Sequence, residues 1–420
     1  MNIFMAYWHV LIAYLLFFSP TAFSADWTSY AGNHRDHHSS EKGLRTEWGN
    51  EEPAELWRIK IGAGYSSVIE WDGLAYCQGN ENGKNTLFCV NSQTGEVIWT
   101  HQYPCRKDPK FFQGGSRATP LIHEKTLYLP SHEGDLYALN AKDGKILWSL
   151  NIIKDLKGIR PDWGYSGCPL VAEGKVIFET GSPEGSLVAL NSQDGSLVWR
   201  GGSHEAGYAS PVIRKSTPNE ILLFNQFGLS VHDFKNGNEL KTYQHKTRFG
   251  VNAAQPLDLG DTVLVTSAYG KGGALVDLKA SIPQAIWESE AISCQMSSLV
   301  HLDGHAYGIH GQAGGRSASQ STLFCLRIDR GKKVWEKKGY GLGSLILVDG
   351  TLVVLTENGE LVLCEASPRK FTELASFQVL SGKANWTPPT YSNGKMHCRS
   401  SRGDWVCLRM SQSSVDSVEK

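Results

Sequence analysis

The sequence predicts an all-β fold: an eight-bladed β-propeller of four-stranded antiparallel blades, its ring closed by N- and C-terminal strands sharing one blade. Three observations predict it. A short phrase recurs, in which a tight Gly turn leads into an apolar strand ending in Trp: Thr94-Gly95-Glu96-Val97-Ile98-Trp99, Asp143-Gly144-Lys145-Ile146-Leu147-Trp148 and Asp194-Gly195-Ser196-Leu197-Val198-Trp199. The phrase closes again at Trp287 and Trp335, so the spacings are 49, 51, 88 and 48 residues, the 88 reading as two units. Self-similarity at this period means a repeat architecture. The third observation is that the two ends of the chain carry unmatched parts of one unit.

Each unit contains four strands. Before Trp148 come Ala118-Thr119-Pro120-Leu121-Ile122, then Leu127-Tyr128-Leu129, then Gly134-Asp135-Leu136-Tyr137-Ala138-Leu139-Asn140, three alternating apolar runs separated by turn residues. The next unit repeats the order with Gly167-Cys168-Pro169-Leu170-Val171, Lys175-Val176-Ile177-Phe178 and Ser186-Leu187-Val188-Ala189-Leu190-Asn191. Units of this size read as propeller blades. Trp57 sits in a closing strand with no inner strands before it, whereas Trp386-Thr387-Pro388-Pro389-Thr390, Lys395-Met396-His397-Cys398 and Asp404-Trp405-Val406-Cys407-Leu408 are inner strands with no closing strand after them. Outer strands at Trp57, Trp99, Trp148, Trp199, Lys241, Trp287, Trp335 and Phe377 make eight, Lys241 and Phe377 holding degenerate copies of the Trp position. Closure of this kind leaves no long free sheet edge.

The phrase L-x-A-L-N-x-x-D-G-x-x-x-W resembles the pyrroloquinoline-quinone (PQQ) type repeat. That repeat is found in quinoprotein alcohol dehydrogenases and in the non-catalytic outer-membrane assembly lipoprotein of the same propeller class. The opening Asp26-Trp27-Thr28-Ser29-Tyr30-Ala31-Gly32, with Arg160-Pro161-Asp162-Trp163-Gly164-Tyr165-Ser166 and Gly207-Tyr208-Ala209-Ser210-Pro211, is similar to exported bacterial PQQ-like propellers. The resemblance covers residues 25–410 and implies the fold, not the function.

Ile3 to Phe18 is one apolar run, followed by Pro20 and Ala22-Phe23-Ser24, so residues 1–24 read as a secretory signal cleaved before Ala25. The destination would be the periplasm or the medium. An uncleaved anchor is the alternative, although the run is short for a span. No later stretch is long enough to cross a membrane, and residues 411–420 read as a disordered tail. With 41 Lys plus Arg against 42 Asp plus Glu, bulk charge offers no means of holding nucleic acid. A monomer is expected.

Nine cysteines are odd in number, so at least one thiol stays free. Cys89, Cys325 and Cys407 align with Ala138 and Ala189 at a small inward-facing position of separate blades and read as buried thiols. Cys105, Cys168, Cys294, Cys364 and Cys398 leave a bridge open. His34, His37 and His38 with Asp36 resemble transition-metal ligands, but no second ligand cluster accompanies them, and a polar loop before the first blade is preferred. The same holds for His301, His305 and His310.

Residues just before the inner strands converge on the central channel. Arg117, Trp163, Tyr165, Tyr208, Asn252 and Trp386 are the largest polar or aromatic groups there, and they are the candidate ligand-binding set. The resemblance implies a test for PQQ: aromatic stacking, cations for its carboxylates, an acid-rich calcium site, a carboxylate base and, in the dehydrogenases, a ring formed by adjacent cysteines. No Cys-Cys pair occurs, and the nearest acids, Asp162 and Glu205, sit on loops. The favoured function is therefore a non-catalytic binding or scaffold module for a protein, peptide or glycan, with no catalytic residue, metal or cofactor assigned. A PQQ- and calcium-dependent alcohol dehydrogenase is the alternative.

Overall fold

The computed structural model of the chain describes residues 26–49, 51–110, 112–314 and 319–411. Each of the eight outer strands closes its own antiparallel blade of four strands; seven run in chain order from the channel outward, and one of these gains His38–Ser39 as a fifth, parallel strand. Seven blades run through 69–104, 121–151, 170–201, 212–244, 257–289, 300–338 and 344–378, numbered 1 to 7. The eighth combines Thr390–Ser392, Lys395–Arg399 and Asp404–Arg409 with the N-terminal strand Glu55–Lys60, which pairs antiparallel to Asp404–Arg409 as the outermost member. The expected signal, residues 1–24, and the expected tail after Ser411 lie outside the described residues.

One device repeats around the ring. The indole N–H of each outer-strand Trp donates to a carbonyl in the turn of the following blade: Trp57 to Ser92, Trp99 to Ala141, Trp148 to Ser192, Trp199 to Phe234, Trp287 to Ile328 and Trp335 to Ser367, all at 2.8–3.2 Å. In five of the six turns a glycine lies flat on the ring, whereas Phe371 meets Trp335. A Cβ on Gly195, at φ +73°, would stand 2.8 Å from Trp148, so the turn requires glycine both for its left-handed backbone and for the close approach. Lys241 keeps the bond without the indole, its Nζ donating to Leu278 O. Phe377 has no donor and instead meets Trp48 edge-on at 5.2 Å. A small residue, Cys89, Ala138, Ala189, Cys325 or Cys407, pairs opposite five of the six Trp residues in the neighbouring strand, as the repeat alignment predicts, whereas Leu275 stands opposite Trp287. All nine cysteines are free and buried, so the bridge left open among Cys105, Cys168, Cys294, Cys364 and Cys398 does not form.

The seam between blades 8 and 1 is polar as well as aromatic. Trp57 packs edge-on to Trp405 at 5.1 Å. Beneath them the fully buried Glu70 of blade 1 lies 2.9 Å from both Lys395 Nζ and His397 Nε2 of blade 8. A buried carboxylate satisfied from the far side of the seam would be left costly and unpaired if the seam opened.

Residues 26–49 correct the expectation of a polar loop before the first blade. They form a strap that enters the channel and touches every blade. Trp27 exchanges main-chain bonds with Glu70, and Thr28 O accepts from Ile122. Arg35 donates to Pro169 O and Cys168 O, Asp36 pairs with Lys215, and Gln255 donates to Arg35 O. Tyr30 Oη meets Ser298 Oγ, His38–Ser39 runs parallel to Leu347–Val348, and Glu41 accepts from Asn393 and Gly394 main-chain N–H groups. His37, read as a possible metal ligand, is buried in this plug against the Tyr30 ring, and burial pushes it down to about 4, leaving a neutral imidazole. Among the described residues no group of three or more His, Cys, Asp or Glu is arranged to hold a metal ion, and no helix is long and apolar enough to cross a membrane.

Candidate functional site

Because the strap fills one end of the channel, the other end becomes a blind cup of about 690 Å³ with Tyr30 at its floor. Tyr65, Trp163, Tyr208, Tyr269 and Trp386 stand around it, and Phe112 and Phe249 reach in from long inter-blade loops. Lys110 and Arg117 are its charged groups; among the described residues no Asp or Glu lines it. Its size suits a small ligand or a protruding chain segment rather than a folded surface.

Local structure explains how the wall is assembled. The outer strand of blade 2 ends at Asn151, whose side-chain oxygen accepts from Ile153 and Lys154 N–H and caps the one-turn helix Ile152–Leu156. Lys157 ends that turn at φ 58°, and the chain returns toward the channel. There Arg160 pairs with Asp108 and Glu133, and the main-chain N–H of Trp163 meets Tyr208 Oη at 3.4 Å. Asp108 is shared: its carboxylate is 2.5 Å from Arg160 and 3.4 Å from Arg117. Against burial, which works the other way, Arg160 and Arg117 hold Asp108 below the usual carboxylate range. Trp386 stacks on Tyr65 at 5.4 Å and 17°, while Phe112 meets its other side edge-on at 4.5 Å.

Of the sequence-predicted set, Arg117, Trp163, Tyr208 and Trp386 line the cup. Tyr165 and Asn252 turn away from it. Tyr165 donates to Thr180 O and packs on Phe178 between blades. Asn252 is fully buried, donating to Asn225 O and His245 O and accepting from Ser267. The reason is alternation: Val251 and Ala253 face the cup, so the residue between them points into the wall. Asp162 and Glu205 are exposed, as their loop positions suggest. Two carboxylates behind the wall are ones that sequence reasoning missed. Glu357 accepts from Trp386 Nε1 at 3.4 Å, and Glu179 accepts the Gly207 N–H beside Tyr208.

Tyr65 was legible and overlooked. Gly64-Tyr65-Ser66-Ser67, before blade 1, repeats Gly207-Tyr208-Ala209-Ser210, before blade 4. Tyr30, Lys110, Phe112, Phe249 and Tyr269 carry no repeat signal, since strap and loops lie outside the repeating phrase.

Comparison with known proteins agrees with this architecture. The family described as outer membrane protein assembly factor BamB, of the PQQ-repeat type, matches residues 35–156 and 83–337. These matches cover more than half of the chain, and the protein belongs to this family. A quinone-dependent alcohol dehydrogenase subunit of Gluconacetobacter polyoxogenes is 26% identical over 189 residues, 42% of this chain and 25% of that protein. The outer membrane protein assembly factor BamB of Yersinia pestis is 25% identical over 156 residues, 35% of this chain and 36% of that protein. The match thus spans between a quarter and a little over a third of these relatives. The crystal structure of BamB from Moraxella catarrhalis superposes with a TM-score of 0.61 at 15% identity, covering 85% of this chain and 98% of that one, a likeness of fold.

Proposed function

We propose that this member of the family is a non-catalytic exported binding module, which holds a ring-bearing group of a peptide, protein or glycan partner in its one-ended cup. The observation that carries the reading is the lining: eight aromatic residues and two cations with no carboxylate among the described residues. Aromatic faces bind flat or sugar-like rings. Two cations without a lining acid make the cup attractive to anions. An Arg117→Ala, Trp386→Ala double variant should release a ligand that co-purifies with the native chain, as read by native mass spectrometry. Full retention of that ligand would remove the cup from the function.

The second reading, a PQQ-dependent dehydrogenase, is favoured by the quinone-dependent relatives. The lining fits the binding of a planar polyanion, since Lys110 and Arg117 suit carboxylates and the Trp and Tyr rings suit stacking. It does not fit the chemistry of such an enzyme. A calcium site needs several oxygen ligands, and alcohol oxidation needs a base within hydrogen-bond reach of the hydroxyl. Among the described residues the lining supplies no carboxylate for either task, and Asp108 is engaged by two arginines. Incubation with PQQ and calcium should yield no dye-linked alcohol oxidation. Turnover lost on changing Asp108, Asp162 or Glu205 to Ala would overturn the non-catalytic reading and name the base.

A further inference from the structure

Two polar atoms in the cup wall are buried without a hydrogen-bond partner: Arg117 Nη1 and Tyr65 Oη. They belong to adjacent segments, because Tyr65 N–H donates to Ser116 O and Gly64 bridges Ser116. The Gln113 main chain and the Ser401 hydroxyl lie beside the phenol without bonding it in the geometry present. An unpaired buried donor calls for a partner, which a water, an ion or a ligand supplies.

The field at this spot is positive. Arg399, fully buried behind the wall, donates to Ser66 O, Gln78 O and Gly62 O, carbonyls that leave its charge uncompensated. Burial pushes the Tyr65 phenol up and keeps it a protonated donor, while Arg399 and Arg117, close by, work the other way. The only acid on Arg117 in the contacts described is Asp108, which Arg160 holds more closely. Lys110 donates to a carbonyl, Asp162 O, which occupies one N–H and leaves its charge in the cup.

We infer that Arg117 Nη1 and Tyr65 Oη form a carboxylate subsite of the cup, so that the ligand is a ring bearing a carboxylate, either an aromatic acid or a uronic acid. This rests on the proposed role of the cup as a ligand site and adds the chemistry of the ligand. The guanidinium supplies charge and one N–H, and the phenol O–H supplies the second donor. The ring of the ligand then lies among the Trp and Tyr faces. Tyr65 is held for this purpose by its stack on Trp386.

Calorimetric titration of the full chain with two matched pairs, naphthoate against naphthamide and galacturonate against galactose, tests the assignment. The acid of one pair should bind at least about tenfold more tightly than its neutral partner, the scale of a charge-assisted hydrogen bond. Which pair discriminates identifies the ring. Tyr65→Phe keeps the stack and should weaken the acid about tenfold while leaving the neutral partner unchanged. Arg117→Gln should abolish the preference altogether. Equal affinities within both pairs, or Tyr65→Phe without effect on the acid, would overturn the subsite while leaving the cup a ligand site. Absence of binding by both acids up to their solubility limits would overturn it too. Retention of a co-purified ligand by the double variant above decides the role of the cup separately.

Discussion

A chain lacking residues 26–61 should be destabilised by on the order of 5 kcal/mol, enough to unfold many domains of ordinary stability near body temperature. The deletion removes the closing strand Glu55–Lys60 and with it Trp57, which is 8% exposed and whose indole binds Ser92 O across the seam. Truncating a buried Trp alone costs roughly 3–5 kcal/mol. The lost main-chain ladder to Asp404–Arg409 also leaves the third strand of blade 8 as a bare edge. A melting curve that does not move would contradict closure by a shared blade.

A shorter deletion, of residues 26–45, separates the strap from the seam. It leaves Trp57 and the ladder in place but takes away Tyr30, Arg35 and the bonds to every blade. Its melting temperature should fall between those of the full chain and the longer deletion. Ligand affinity should fall to a comparable degree in both, because each opens the cup floor.

The ring was legible because its evidence is redundant. Eight copies of one phrase outvote the two positions, Lys241 and Phe377, at which the Trp is missing. Physical chemistry explains the tolerance: Lys241 Nζ reaches the same kind of carbonyl as an indole N–H, and Trp48 covers Phe377 from the strap. The site was only partly legible for the opposite reason. A cup wall is built once, from segments that differ between blades, and size alone does not tell which way a residue points. Asn252 and Tyr165 stand out by bulk, whereas alternation with Val251 and Ala253 turns Asn252 into the wall and the bond to Thr180 O holds Tyr165 there. Tyr30 and His37 lie far from any repeat, and nothing local distinguishes a strap that threads a channel from a loop before it. Arg35 is the retrospective clue: it is a fully charged residue that the fold accepts inside because carbonyls of blade 3 receive it.

Glu179→Gln should reverse sign with pH. Glu179 is 7% exposed; its Oε2 accepts the Gly207 N–H, its Oε1 is unpartnered, and burial raises it to about 8. Between the ordinary carboxylate range and pH 8 the folded chain therefore holds a proton that the unfolded chain has released, so stability falls as pH rises through that window. At 1.36 kcal/mol per pH decade, the ionised form costs on the order of 4 kcal/mol above pH 8. Glutamine cannot ionise, but its amide places an unsatisfied donor where Oε1 stands, a cost of about 1–3 kcal/mol at every pH. Denaturant unfolding should thus find the variant less stable at pH 4.5 and more stable at pH 8.5. Other buried groups titrate nearby: His37, His132 and His245 are pushed down to about 4 by burial. Against burial, which works the other way, interactions with Cys407 and Glu70 raise His397 to about 9. All four are present in both proteins, and the difference between them isolates Glu179. A difference that stays constant from pH 4.5 to 8.5 would show that the carboxyl is solvated or already paired. The same proton bears on the cup, because Gly207 precedes Tyr208 and its N–H is held by the carboxyl that titrates.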